Sequence, residues 1–177
     1  MSALRLRHAT LADVPMLQRW DKDPDVIAAT SDDRTAETAF DHIDWPAEIA
    51  SDSDASVHLI AEKDGRPIGA MQIIDPHVEP THYWGDCGEN LRAIDIWIGS
   101  AADRNRGFGT EMMQLAIERC FASPEVTAIL IDPLATNTDA HRFYKRLGFE
   151  FVERRFFGDD DCFVYRLERR KWRGGHS

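Results

Sequence analysis

Between Leu91 and Ala122 the sequence passes from strand to turn to helix, and this order constrains the fold more than any other segment. Leu91 to Ile98 is a β-prone run, and Gly99 opens a short polar turn. From about Gly107 to Ala122 apolar residues recur at helical spacing, with Met113, Ile117, Cys120 and Phe121 on one stripe, until Ser123-Pro124 stops the helix. At the junction stands Arg104-Asn105-Arg106-Gly107-Phe108-Gly109-Thr110. The first amides of a helix have no internal acceptors, glycine lets a ligand approach the backbone closely, and the positive end of the helix dipole favours negative charge. The junction is therefore a candidate pyrophosphate site. Taken alone, a glycine turn at a helix start is equally compatible with a purely structural role.

The remaining elements can be read around this segment. Leu4, Leu6 and His8 alternate with Arg5 and Arg7 as an opening strand, and Thr10 caps a helix from about Asp13 to Trp20. From Pro24 to Asp54 the pattern weakens, with helix-like stretches at Glu37 to Ile43 and Trp45 to Ala50. Ser56 to Lys63 and Pro67 to Ile74 flank Asp64-Gly65-Arg66, a hairpin signal. Asp75 to Asn90 is a long loop of the kind that often carries function. Thr127 to Ile131 reads as a buried strand. Asp139 to Leu147 reads as a helix ended by Gly148, and Phe149 to Phe156 and Cys162 to Glu168 as two last strands. The sum is an α+β chain with a mixed sheet, and 177 residues suit a single domain over 1–177.

Composition narrows the classes of function. Asp and Glu outnumber Lys and Arg by 31 to 21, a formal charge of -10, which disfavours phosphate-backbone binding and argues against nucleic acid as a partner. The acids of the first third read as a solvated face, and the basic tail from Glu168 to Arg173 as a solvated terminus. Cys87, Cys120 and Cys162 are too few and too scattered for a disulfide framework, which suits a reducing cytoplasm. No stretch is long and apolar enough to cross a bilayer, so no membrane association is expected. His77, His82 and Cys87 match no usual ligand spacing, and no metal is expected.

The junction, written Arg104-x-x-Gly107-x-Gly109, resembles the acyl-CoA loop of the GNAT N-acetyltransferases, and Asn137-x-x-Ala140-x-x-x-Tyr144-x-x-x-Gly148-Phe149 resembles that family's second signature. The resemblance implies a three-layer fold, with helices on a mixed, mostly antiparallel sheet whose two central strands splay apart. It implies acetyl-CoA as donor, held by Ile96, Trp97 and Ile98 on the splayed strand, by Arg104, Arg106, Gly107, Phe108, Gly109 and Thr110 at the junction, and by Asn137, Ala140 and Tyr144. It also makes Tyr144 the acid that protonates the leaving thiolate. On its helix alone Tyr144 reads more readily as core than as catalytic. Asp95 lies mid-strand on the face opposite Ile94 and Ile96, and it is either a locally satisfied carboxylate or the group that holds the amine and accepts its proton.

Leu91-Arg92-Ala93-Ile94-Asp95, Ser123-Pro124-Glu125-Val126-Thr127 and Ile131-Asp132-Pro133 further resemble the aminoglycoside 6'-N-acetyltransferases of the type I branch. That resemblance implies a polycationic small-molecule acceptor met by Asp95, Asp132 and Asp159 or Asp160, since ionised carboxylates suit ammonium groups. Tyr83, Trp84, Asp86 and Glu89 on the long loop are candidates for the acceptor wall, because aromatic planes pack on sugar faces while acids meet amines. The same donor elements would serve an enzyme acting on a siderophore precursor, a polyamine or a peptide amine, or a non-catalytic acyl-CoA module. The oligomeric expectation is a monomer or homodimer.

Overall fold

The computed structural model describes residues 3–172. Seven strands, β1 (Arg5–His8), β2 (Ser56–Lys63), β3 (Arg66–Ile74), β4 (Leu91–Ile98), β5 (Ala128–Ile131), β6 (Glu150–Phe157) and β7 (Asp160–Glu168), form one sheet in the order β1-β2-β3-β4-β5-β7-β6. Every neighbouring pair is antiparallel except β4 with β5. The β2–β3 hairpin turns at Asp64 and Gly65, whose φ values of 53° and 76° give the left-handed pair that a two-residue hairpin requires.

The parallel pairing is short. Leu91, Ala93 and the residue between them meet Ala128 to Leu130, and beyond Ala93 only β3 pairs with β4, from Ile94↔Ile73 to Ile98↔Gly69. The central strands therefore part, as the family resemblance implied, and beyond Ala93 the edge of β4 toward β5 has no strand partner among the described residues.

Among the described residues five α-helices complete the layers: α1 (Val14–Asp21), α2 (Pro24–Thr30), α3 (Trp45–Ala50), α4 (Phe108–Phe121) and α5 (Thr138–Arg146). Period-two alternation sends Leu59, Met71, Ile73 and Ile94 to the face where α4 buries Met112, Met113, Ile117 and Phe121. Fully burying each of these large side chains contributes about 1.5–3 kcal/mol. The other face carries Ile60, Ala70 and Trp97 under Leu17 of α1, Val26 of α2 and Trp45 and Ile49 of α3. Farther along that face, Trp84 of the long loop packs with Ala93, Leu130, Phe157 and Val164.

Three sequence expectations need correction. Residues 24–30 are helical where no helix was read, while 37–43 form turns. Asp23 caps α2 by accepting from the amides of Asp25 and Val26, with Pro24 at the first helical position, and Asp44 with Pro46 starts α3 in the same way. The acidic first third is also not uniformly a solvated face. Asp21 is buried, accepting from the Phe40 amide at 3.0 Å and the Trp45 indole at 3.1 Å, and so fixes the 31–44 connection. Finally, Arg169 of the basic tail is no free cation. It donates to the carbonyls of Phe121, Ser123 and Val126 and lies 4.8 Å over the Phe121 ring, capping the end of α4. Arg173 lies outside the described residues.

Candidate active site

Where β4 leaves β5, a cavity of about 810 Å³ opens between the sheet, α2, α3, the long loop and α5. Its floor is Asp95, Ile96, Trp97 and Ile98 of β4, one end carries Asn137, Ala140 and Tyr144, and Arg104 stands at the rim. Charge on its walls is one-sided. Asp25, Glu48, Glu79, Asp95, Asp132 and Asp160 all line it, and Arg104 is already committed to Asp25 at 2.6 Å and Asp23 at 3.2 Å.

The turn before α4 lies beyond Arg104, outside the lining of this cavity. Gly107 is the N-cap with φ 83°, and a Cβ placed there would meet nothing within 4 Å, so glycine is demanded by the backbone angle and not by crowding. The amides of Phe108, Gly109 and Thr110 are left without helical acceptors. Arg106 lies 5.1 Å over the Phe108 ring, and both line a second, open depression of about 470 Å³ with Lys63, Asp64 and Arg66. Gly109 faces the Phe143 ring, which a Cβ would meet at 3.6 Å.

Asp95 and Tyr144 face the cavity without any hydrogen bond from their side chains to another described residue. Burial raises the pKa of Asp95, and nearby His58 opposes the rise. Asp132 is raised by burial and then by the Asp95 charge, against a 2.6 Å hydrogen bond donated by the Tyr83 hydroxyl. Burial, then Asp95 and Asp132, push the Tyr144 phenol well above its ordinary range, so it stays protonated at neutral pH. The one thiol on the wall, Cys162, is held up at about 12 by burial and then by Asp132, which keeps it from serving as a thiolate nucleophile.

The long loop is shaped by Glu79. Burial would raise its pKa, but hydrogen bonds from Thr81 and the Tyr83 amide outweigh this and lower it. Tyr83 then stacks on Phe157 at 4.6 Å, with Trp84 edge-on to both rings.

The structure thus gathers Tyr83, Trp84, Asp95, Ile96, Trp97, Ile98, Arg104, Asp132, Asn137, Ala140, Tyr144 and Asp160 on one cavity. Arg106, Gly107, Phe108, Gly109 and Thr110, expected at the donor, and Asp86, Glu89 and Asp159, expected at the acceptor, are not on its wall. Glu89 points to His77 at 3.6 Å from an exposed position, and Asp86 and Asp159 are solvent-facing. Arg104 turns to the start of α2, because two aspartates there compete for its charge. Sequence reasoning missed Asp25, Glu48, Gln72 and Glu79 on the wall. The Asp-Pro helix starts at 23–24 and the similar Asp44-Trp45-Pro46 were the available signal for the first two.

A family model described as an acetyltransferase (GNAT) domain matches residues 9–157. The chain belongs to the GNAT acetyltransferase family. Within this family it is similar to the aminoglycoside N(6')-acetyltransferase type 1 of Klebsiella pneumoniae, 28% identical over 151 residues that cover 84% of this chain and 74% of that protein. A kanamycin resistance protein of Rhizobium radiobacter is 38% identical over 60 residues, 34% of this chain and 56% of that one. Among solved structures, AAC(6')-Ib in complex with paromomycin and acetyl-CoA superposes with a TM-score of 0.81 at 24% identity, covering 99% of this chain and 98% of that chain. The spermidine N-acetyltransferase of Vibrio cholerae, in complex with CoA and spermine, gives 0.72 at 15% identity over 95% and 96%. These two superpositions establish the GNAT fold.

Proposed function

We propose that this GNAT chain moves the acetyl group of acetyl-CoA to a primary amine of a polycationic small molecule, with the 6'-amine of an aminoglycoside as the favoured acceptor. The observation that carries the reading is that Asp95 and Tyr144, neither with a side-chain hydrogen bond to another described residue, share a cavity walled by carboxylates. An ammonium group supplies what Asp95 and Asp132 lack, since each carboxylate raises the cost of ionising the other.

The donor fits a strand edge with free main-chain groups beside helix-start amides and an uncrowded Gly107. There Arg106, Gly107, Phe108, Gly109 and Thr110 would hold the diphosphate, while Ile96 to Ile98, Asn137 and Ala140 flank the arm. Asp95 accepts a proton from the amine nitrogen, which then attacks the thioester directly. Tyr144 gives its phenolic proton to the departing sulfur. A protonated Cys162 fits this route better than an acyl-cysteine one. Tyr83, Trp84, Asp132 and Asp160 would orient the acceptor.

The reading treats residues 1–177 as one cytoplasmic acyltransferase domain acting as a monomer or homodimer. Free Cys87, Cys120 and Cys162, and the lack among described residues of a helix long and apolar enough to cross a membrane, are compatible with that compartment. The test is thiol release from acetyl-CoA with kanamycin, ribostamycin, spermidine and a monoamine. Turnover with the aminoglycosides is expected to exceed that with the monoamine by at least about a hundredfold, two charge-assisted contacts being worth about 1.5–3 kcal/mol each. Equal turnover across the set would refute an acceptor site selective for polycations.

A further inference from the structure

The sheet register places three polar residues in one row beneath the acceptor end of the cavity: His58 on β2 opposite Gln72 on β3, and Gln72 opposite Asp95 on β4. Directly opposed residues share a face, so all three side chains rise toward α3. Two strand spacings put the His58 and Asp95 backbones roughly 9.5 Å apart.

His58 is buried and held in one orientation. Its Nδ1 lies 2.7 Å from the Asp52 carboxylate, and its own amide donates to the other Asp52 oxygen at 2.9 Å. Trp45 closes over the ring edge-on, with centroids 5.9 Å apart. Among the described residues Nε2 has no hydrogen-bond partner. Packing alone does not call for such a group. An apolar residue at 58 would continue the buried run of Leu59, Ile60 and Ala61, whereas a buried imidazole costs desolvation.

Acidic groups surround the imidazole. Asp52 touches it, Asp95 lies across Gln72, Glu48 of α3 lines the same cavity, and Asp21 accepts from the Trp45 indole that covers the ring. The β1 arginines, Arg5 and Arg7, are tied to Glu62 and Asp13. Asp95 is faced in addition by Asp132 at the end of β5 and by Tyr144 of α5.

We propose that His58, oriented by Asp52, is the positioning residue for Asp95: its positive charge, two strands away, keeps the carboxylate ionised while the cavity is loading its amine. This rests on the acetyl-transfer reading, which also fixes the proton balance. An acceptor ammonium loses two protons on becoming an amide. One replaces the proton that Tyr144 gives to sulfur, and the other must be taken by an anionic base, so a neutral Asp95 would leave the nitrogen without an acceptor. His58 exchanges no proton with substrate in this scheme.

The decisive experiment is the pH profile of kcat/KM for His58→Gln. Removing a cation raises the pKa of a neighbouring carboxylate, so the acid limb is expected to move upward by about one unit, a Coulomb effect at this spacing. Activity then falls about tenfold at a pH below the limb and less than twofold well above it. A uniform loss at every pH with an unmoved limb would make His58 merely structural and overturn the proposal. A second measurement needs no acceptor: the His58 imidazole resonances, assigned by their loss in His58→Gln, are titrated in the native protein and in Asp95→Asn. The imidazole pKa should drop by about one unit in Asp95→Asn, and an unchanged value overturns the coupling. If that drop appears while no amine is acetylated, the coupling stands and the functional reading fails.

Discussion

The donor and acceptor halves of the proposed site are built from different materials. At the donor end the groups that matter belong to the main chain: the free edge of β4, the left-handed Gly107 and the first amides of α4. At the acceptor end they are side chains delivered by separate segments, with Asp25 from α2, Glu48 from α3, Tyr83 from the long loop, Asp132 after β5 and Asp160 from β7. A site made of backbone is specified by a few adjacent residues and a secondary-structure junction. One made of convergent side chains exists only after the whole chain has folded, and its members can be exchanged singly without disturbing the sheet.

The sharpest challenge to this division is Asp95→Asn. In the proposed reaction it sits on the donor strand but serves the acceptor, so kcat is expected to fall about a thousandfold, within the usual range for a lost general base, while the thermal shift given by coenzyme A stays within error. A parallel loss of coenzyme A binding would mean that the two ends are not separable at β4.

Next in size, Tyr144→Phe should lower kcat about a hundredfold with little change in either KM, because only protonation of the leaving sulfur is lost. Retained turnover at pH 7 would remove Tyr144 from its role and hand that proton to water. The smallest effect belongs to the main chain itself. Gly107→Ala forces a β-carbon into the left-handed region at a cost of about 1 kcal/mol, so donor affinity should weaken about fivefold with acceptor KM unmoved. Acceptor KM rising as well would show the turn shaping both ends.

The same contrast explains what could be read from the sequence. Strand, turn and helix from Leu91 to Ala122 follow from local pattern, and the hairpin at Asp64-Gly65 and the Gly148 cap, with φ 100°, follow from single residues with particular backbone needs. Asp95 and Tyr144 could be placed on the cavity wall from local motifs too. Asp86, Glu89 and Asp159 were drawn toward the site by their neighbours in sequence. Loop paths then turned them to solvent, for nothing local states where a loop side chain points. Helix α2 escaped notice because seven residues with one buried apolar position, Val26, give no period to detect. Its evidence lay in Asp23-Pro24, a start signal without a stripe behind it. Arg104 was legible as a cation and misread as to partner, since Asp23 and Asp25 lie about eighty positions away in the chain.

That arginine has one more consequence. With its guanidinium spoken for, the acceptor chamber offers a visitor acids, amides, hydroxyls and rings, but no unclaimed base. Phosphorylated or carboxylated sugars of the right outline would be turned away at the door. Cationic molecules of quite different outline would be admitted, so on the proposed reading the chamber sorts its guests by sign before it sorts them by silhouette.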